Sequence, residues 1–337
     1  LVNTALTIQL FGTSFVAFIL FLFASFSKNR EFLILFILEI FSVIFLYGDI
    51  FEYELINLGK GSKVAKVFLI KELSYFFSAL IAIFLNAELF VFSLLNALSG
   101  GLRVVLFSNL KLSNLRFNFL KFFKRKLGII FISRSLPLIL AGVSNVFLMR
   151  SDQLMIQYFL GSFELGQYAV SVKVVEIIYF LPLILCSNFL PIIGTKNLVF
   201  DKNSHLRKLY KLIWIVGLLI TLISIFISPI ILKILYGEQY LSAIPSLLCL
   251  GAGGFSVSIG CANSMWLKSS NLGKVLLIRN TFSFILNILL NLYFIPKYGI
   301  LGAAISTTIS NYFGIFIVNF LWSKEARINI LKAYMPF

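Results

Sequence analysis

The chain has 337 residues, of which 60% are hydrophobic and only 12% are charged, and its mean hydropathy is +0.99. This composition excludes an ordinary soluble domain, in which about a quarter of the residues are charged. The net charge of +16 would suit a nucleic-acid-binding protein. However, the basic residues fall in short loops between apolar segments, which is typical of membrane proteins, so we expect no nucleic-acid partner.

Ten apolar stretches follow one another along the chain. Each has about 17–25 residues, enough for a helix to cross a hydrocarbon core about 30 Å thick. The sequence therefore predicts an all-α polytopic membrane protein with about ten transmembrane helices. The predicted spans are Thr4–Phe26, Phe32–Gly48, Val67–Leu85, Leu89–Phe107, Leu127–Met149, Gly166–Leu190, Tyr210–Leu232, Ile244–Met265, Val275–Ile295 and Gly299–Leu321.

The loop charges predict an orientation. Nineteen of the 29 lysines and arginines lie in one set of alternate loops, and five lie in the opposite set. Because cytoplasmic loops carry the excess of basic residues, the first set should face the cytoplasm. Both termini would then be cytoplasmic.

The most basic loop, residues 108–126, marks the expected division of the chain. Phenylalanines alternate there with lysines and arginines, which is typical of an amphipathic segment on a membrane surface. Aromatic and basic residues together can also bind single-stranded nucleic acid, but the position beside two spans favours the membrane. The loop would join an N-terminal lobe of four helices, residues 1–126, to a C-terminal lobe of six helices, residues 127–337.

Several charged residues lie inside the predicted spans, where each costs at least a few kcal/mol unless it has a partner or faces water. Arg134, Lys173 and Glu176 lie deep, and the i,i+3 spacing of Lys173 and Glu176 places both on one helix face. We expect these three to line a polar cavity, with a dry structural ion pair as the alternative. Glu39 is similarly deep in the second span, and is either a cavity acid or a neutral buried carboxyl.

Arg150 and Asp152 stand at the outer end of the fifth predicted span. They are either a charged cap at the membrane interface or contacts to a substrate. Tyr158 and Tyr168 nearby suit an aromatic belt at the same interface.

Three further cations, Lys71, Arg103 and Arg279, lie about four residues, or roughly 6 Å, from the cytoplasmic end of a span. We expect them to extend to the lipid headgroups. The ninth span carries Asn280, Asn287 and Asn291 close to one face, and the tenth has a small, polar surface. Helix packing with interhelical hydrogen bonds is the expected role of both surfaces. The small and polar residues of the tenth span are Gly302, Ala303, Ser306, Thr307 and Ser310.

Motifs of catalysis are missing from the sequence. It contains no P-loop, no GxSxG, no HExxH and no paired Cys/His cluster. No nucleophile, base and orienting group come together in any pattern. We therefore expect no enzyme, no metal site and no cofactor.

From Leu127 to Leu321 the sequence resembles the Wzx-type flippases of the multidrug/oligosaccharidyl-lipid/polysaccharide (MOP) exporter superfamily. Order and spacing make the resemblance specific, although each piece is short. The residues that carry it are Leu136-Pro137-Leu138, Arg150-Ser-Asp152-Gln153-Leu-Met-Ile156, Leu160-Gly161, Leu165-Gly166-Gln-Tyr168-Ala169, Lys173-Val-Val-Glu176, Leu181-Pro182, Leu190-Pro191, Leu235-Tyr236-Gly237, Tyr240, Asn287, Asn291 and Ile295-Pro296-Lys-Tyr298-Gly299-Ile-Leu-Gly302-Ala303-Ala304.

The resemblance implies twelve helices in two six-helix lobes around a cationic cavity. With ten predicted spans, this chain would lack the first two helices. The implied substrate is an undecaprenyl-diphosphate-linked repeat unit of O-antigen, capsule or exopolysaccharide, moved across a bacterial cytoplasmic (inner) membrane by alternating access. Membrane lipids and other polysaccharide-assembly proteins are the implied partners.

The resemblance, together with the charges, gives roles to six residues. The cations expected to hold the diphosphate or acidic sugars are Arg134, Arg150 and Lys173. The acids expected to line the cavity, holding these cations or binding a coupling proton or sodium ion, are Glu39, Asp152 and Glu176. Two alternatives stay open: a multidrug or cation antiporter of the same superfamily, and a membrane-embedded polysaccharide polymerase. The cation-rich central helices argue against the first, and the lack of catalytic groups and of a large outer loop against the second.

Overall fold

The computed structural model describes residues 2–26, 30–57, 59–110, 125–194 and 202–322, and within these ranges it is helical with no β-strand. Most of the expected surface segment at residues 108–126 lies outside the described residues. The helices are α1 (Val2–Phe26), α2 (Arg30–Phe45), α3 (Asp49–Asn57), α4 (Gly61–Phe84), α5 (Leu89–Asn109), α6 (Arg125–Leu160), α7 (Ser162–Gly194), α8 (Lys202–Phe226), α9 (Ser228–Tyr236), α10 (Ile244–Ala252), α11 (Gly254–Ser269), α12 (Gly273–Tyr312) and α13 (Asn319–Trp322).

The prediction of an all-α multi-pass membrane protein is confirmed. Among the described residues, eight helical stretches are long and apolar enough to cross a membrane. A ninth crossing results if α10 and α11, which meet at an angle of 42°, form one broken span. Many large apolar side chains remain exposed on these helices, as expected of a surface that faces lipid rather than water.

Helix α12 reverses direction at Gly299. Asn287 and Thr307 are 20 residues apart, yet their side chains form a hydrogen bond of 3.2 Å. Along one straight helix the same separation would be about 30 Å. Gly299 has φ of 61° and ψ of −141°, a conformation that a residue without a Cβ adopts readily. The stretch Gly273–Val318 therefore contains two antiparallel helices, which correspond to the ninth and tenth predicted spans.

The two arms of this hairpin pack closely through small residues. A Cβ on Gly302 would lie only 2.1 Å from the carbonyl oxygen of Phe294. Asn280, Asn287 and Asn291 are buried on the first arm, and the small residues of the second arm are mostly buried as well. The predicted role of these two surfaces in helix packing is confirmed.

The chain divides into two compact units, Leu1–Ser133 and Arg134–Phe337, and the boundary lies inside α6. The predicted boundary between residues 126 and 127 falls near the start of the same helix and stays a prediction.

In the first unit, α1 packs on α2, and α5 packs on both α2 and α4. The Arg103 guanidinium, whose side chain is 12% exposed, contacts Asp49 Oδ1 at 2.8 Å and the carbonyl oxygen of Phe45 at 3.3 Å. The prediction that Arg103 extends to the headgroups is wrong, because the turn after α2 supplies partners. The Lys71 ammonium contacts the neighbouring Glu72 carboxylate at 2.8 Å.

In the second unit, α7 packs against α8, α10 and α11, and α10 packs against α12. One core cluster joins α7 to α10 and α12, and includes Ile156 from α6, Tyr168 and Val174 from α7, and Leu247 from α10. Tyr168 of this cluster also contacts the buried Asp152.

Candidate functional site

The candidate site lies on α6 and α7 of the second unit. The fifth span was predicted to end at Met149, but α6 continues to Leu160. The chain then turns at Gly161, where φ is 90°, and α7 runs back along α6. Arg150 and Asp152 are therefore inside a helix, and their predicted position at its outer end is wrong.

Glu176 joins the two helices through both oxygens of its carboxylate. Oε1 lies 3.1 Å from Arg150 Nη2 on α6, and Oε2 lies 3.1 Å from Lys173 Nζ on α7. The Arg150 side chain is 43% exposed and the Lys173 side chain 60% exposed. Two cations thus share one anion in a cluster whose side chains are partly exposed, and the choice between a cavity lining and a dry ion pair stays open. We call these three residues the Glu176 cluster.

Asp152 lies two residues after Arg150 and is only 2% exposed. Its Oδ2 accepts a hydrogen bond of 2.5 Å from the Tyr168 hydroxyl and one of 3.3 Å from Thr307 Oγ1. Its Oδ1 accepts one of 2.7 Å from the backbone N–H of Gln153. Within the described ranges no cation lies at salt-bridge distance from this carboxylate.

Neutral polar groups extend this buried site into the α12 hairpin. The Asn287 amide donates to Thr307 Oγ1 at 3.2 Å, and its Oδ1 accepts from Ser151 Oγ at 3.1 Å and from Asn291 Nδ2 at 2.9 Å. Asn291 Oδ1 is buried and has no hydrogen-bond partner among the described residues. The site around Asp152 therefore consists of one carboxylate and several neutral oxygens, drawn from α6, α7 and both arms of the hairpin.

Two of the predicted site residues lie elsewhere. Arg134 is exposed on α6, 16 residues before Arg150, which is about 24 Å along a helix. Glu39 is exposed on α2 in the first unit, so the alternative of a buried carboxyl is wrong. Neither residue has a salt bridge among the described parts of the chain.

The sequence prediction missed one partner of Asp152 and misplaced one cation. Tyr168 was expected in an interfacial belt together with Tyr158, but Tyr168 is fully buried, whereas Tyr158 is 83% exposed. Arg279 was expected to extend to the headgroups, but it is only 6% exposed. No group of three or more His, Cys, Asp or Glu side chains with metal-ligand spacing occurs in the described ranges.

Fold and site together define a multi-pass helical membrane protein that holds charged groups within its apolar helices. No family model matches the chain. Its sequence is 38% identical over 114 residues to a protein of Methanocaldococcus jannaschii that bears the name of an uncharacterized membrane protein. That match covers 33% of this chain and 20% of the archaeal protein, so the chain matches about a fifth of that curated relative's length.

Solved structures match nearly the whole chain. A MOP superfamily transporter from Pyrococcus furiosus, whose binding pocket is described as having a reverse polarity that suggests a different function, aligns with a TM-score of 0.76 at 15% identity over 99% of this chain and 79% of its own. A multidrug resistance MATE family transporter of the MOP superfamily aligns in its outward-facing conformation with a TM-score of 0.76 at 15% identity, again over 99% of this chain and 79% of its own. The inward-facing conformation of a multidrug resistance MATE family transporter of the MOP superfamily aligns with a TM-score of 0.69 at 16% identity, over 99% of this chain and 81% of its own. This chain thus has the fold of the MOP superfamily transporters.

Proposed function

We propose that the protein is a transporter that moves an undecaprenyl-diphosphate-linked oligosaccharide from the cytoplasmic to the outer face of a bacterial cytoplasmic membrane by alternating access. The oligosaccharide would be a repeat unit of O-antigen, capsule or exopolysaccharide. The fold supports the transporter class. The Glu176 cluster is the observation that favours an anionic substrate, because two cations contact one carboxylate there, within apolar helices.

The chemistry of the cluster suits a diphosphate. Its formal charge is +1, since Arg150 and Lys173 outnumber Glu176. A guanidinium can hold two phosphate oxygens at once, and an ammonium binds phosphate as a compact point charge. In the empty site Glu176 would pair with both cations and neutralise one of their two positive charges. A diphosphate carries more negative charge than a carboxylate, so it can replace Glu176 on the cations, and Glu176 can return when the substrate leaves.

The buried Asp152 supports ion coupling as part of the same proposal. A charged carboxylate buried without a cation costs free energy, and a proton or a sodium ion would remove that cost. Oxygen ligands are those that hard cations prefer. Besides the Asp152 oxygens, the site offers Thr307 Oγ1 and the side-chain oxygens of Asn287 and Asn291. Asn291 Oδ1 in particular has no other partner.

A second candidate function is a multidrug or cation antiporter, favoured by the multidrug resistance transporter of the same fold. Cationic drugs would need free carboxylates, but Glu176 already holds two cations and Asp152 is closed off by Tyr168 and Thr307. The Pyrococcus furiosus neighbour is described as having a pocket of reverse polarity. The local charges therefore favour an anionic substrate over a cationic drug.

Deletion and complementation of the gene test the proposed function. Deletion should abolish surface polysaccharide while the lipid-linked unit accumulates on the cytoplasmic face. Wild-type gene and a Lys297→Ala variant should restore display, because Lys297 is exposed and its ammonium contacts the exposed Tyr293 on the hairpin. A Lys173→Ala variant that reaches the membrane should not restore it. Normal display in the deletion strain would contradict the proposal, and drug sensitivity with normal display would favour the antiporter.

A further inference from the structure

Helices α10 and α11 of the second unit meet at an angle of 42°, and Gly253 alone separates them. The Gly253 N–H donates to the carbonyl of Leu250 at 2.8 Å, three residues back rather than the four of a regular α-helix. The carbonyl of Cys249 thereby loses its regular donor. Inside a membrane such a carbonyl needs another partner from the protein, because lipid offers none.

Side-chain hydroxyls from two other helices bind the backbone beside this break. One comes from α7, and two come from the second arm of the α12 hairpin. We call the three donor residues the hydroxyl clamp. The hydrogen bonds are Thr308 Oγ1 to the Cys249 carbonyl at 3.0 Å, the Tyr179 hydroxyl to the Leu250 carbonyl at 2.5 Å, and the Tyr312 hydroxyl to the Ala252 carbonyl at 3.1 Å.

The hydroxyl clamp adjoins both parts of the candidate site. Tyr179 follows Glu176 by three residues on α7, so the two share a helix face. Thr308 directly follows Thr307, which donates to Asp152. A shift of α7 when Glu176 changes its partners would therefore move one hydroxyl of the clamp. A shift of the second arm when Asp152 changes its partners would move another.

The angle at Gly253 depends on these side-chain hydrogen bonds, whereas the regular parts of α10 and α11 are held by their own backbone. Exchange of the side-chain bonds can change the angle without unwinding either helix, as at the hinges of other moving proteins. We propose that the Gly253 break is a hinge at which α10 and α11 change their angle during alternating access. Tyr179 and Thr308 are positioning residues that link this angle to the two parts of the candidate site. The inference rests on the proposed transport, but not on the identity of the substrate.

A reversible cross-link tests whether the hinge has to move. Cys249 Sγ lies 3.9 Å from Thr308 Oγ1, so Thr308→Cys places two thiols close enough for copper phenanthroline to join them after a small adjustment. Transport in proteoliposomes should fall roughly tenfold or more on oxidation and recover on reduction, because a locked hinge stops the cycle. The wild type treated with the same oxidant is the control and should keep its transport. Equal transport by the reduced variant and by the variant with a disulfide confirmed by mass spectrometry would overturn the proposal.

Hydrogen exchange of the purified protein needs neither a substrate nor a cross-link. In Thr308→Val the backbone amides of residues 244–256 should exchange several-fold faster than in the wild type, because the break loses one of its clamps. Thr13→Val is the control, because the Thr13 hydroxyl bonds back to its own helix in the first unit. Equal exchange at the break in Thr308→Val and the wild type would show a rigid kink and contradict the hinge. Faster exchange in Thr308→Val together with failure of the flippase experiment would uphold the hinge and point to another substrate.

Discussion

The Tyr168 hydroxyl donates a hydrogen bond of 2.5 Å to Asp152, and neither residue is more than 2% exposed. Tyr168 is on α7 and Asp152 is on α6, so the bond joins the two helices that flank the turn at Gly161. Thr307, on the second arm of the α12 hairpin, donates a further hydrogen bond of 3.3 Å to the same carboxylate oxygen of Asp152. The same two helices carry the Glu176 cluster, so the carboxylate proposed to couple to an ion and the cations proposed to bind an anion share one scaffold.

Removal of this hydroxyl should destabilise the protein. Tyr168→Phe keeps the ring packed but leaves Asp152 Oδ2 with only Thr307 as a donor. We expect a loss of about 1–3 kcal/mol, measured as a lower thermal unfolding temperature in detergent. Tyr158→Phe is the matched control, because Tyr158 is 83% exposed and its loss of a hydroxyl should have almost no effect. Equal unfolding temperatures of the two variants would show that the bond contributes little.

Neutralisation of Asp152 should remove ion coupling without unfolding the protein. Asp152→Asn keeps the shape of the side chain and one carbonyl oxygen that can accept from Tyr168. In proteoliposomes, transport by this variant should no longer respond to a proton or sodium gradient across the membrane. A Glu238→Gln control should keep the response, because the Glu238 side chain is 75% exposed and pairs with the exposed Lys233. Gradient-dependent transport in Asp152→Asn would refute a coupling role for this acid.

A larger side chain at Gly302 should disrupt the α12 hairpin. A Cβ there would meet the Phe294 carbonyl oxygen at 2.1 Å, and backbone cannot yield as a flexible side chain can. Gly302→Val should therefore sharply reduce the amount of folded protein recovered from membranes. Gly142→Ala on α6 is the control, because among the described residues nothing beyond its own stretch of helix lies within 4 Å of the new Cβ, and it should be neutral or slightly stabilising. Normal recovery of Gly302→Val would contradict the close packing of the two arms.

The ion pair between Arg150 and Glu176 should contribute little to stability. Both side chains are partly exposed, and pairs of this kind are worth about 0–1 kcal/mol. A double-mutant cycle with Arg150→Gln and Glu176→Gln, read out by unfolding in detergent, should give a coupling energy in that range. A coupling of several kcal/mol would indicate a structural pair rather than a replaceable partner of a substrate.

Hydropathy predicted the fold class because the thickness of the bilayer dictates the length of every crossing. The pairing of Lys173 with Glu176 was also predictable, since i,i+3 neighbours share a helix face. Pairing of Arg150 with the same carboxylate was not, because it depends on how α7 packs against α6. Polar residues after Met149 signalled the end of a span. The helix nevertheless continues, because α7 and the hairpin supply partners for Ser151 and Asp152.

Position along a span proved a poor guide to burial near its ends. Tyr168 and Arg279 both lie close to a predicted span end, where aromatic and basic residues usually meet the headgroups. Each is instead buried by the packing of its helix against neighbouring helices. The polar partners of Arg279, Asn280 and Ser264, come from two different helices. Such enclosure depends on tertiary packing, which hydropathy does not report.

Binding of a polyprenyl-diphosphate-linked oligosaccharide to the purified protein in nanodiscs tests most directly whether the Glu176 cluster receives an anionic headgroup. The wild type and Lys297→Gln should bind with equal affinity. The double variant Arg150→Gln/Lys173→Gln should bind at least tenfold more weakly, which corresponds to about 1.4 kcal/mol. Undiminished binding by the double variant, or binding of a cationic drug in place of the diphosphate lipid, would contradict a role of these two cations in holding the substrate.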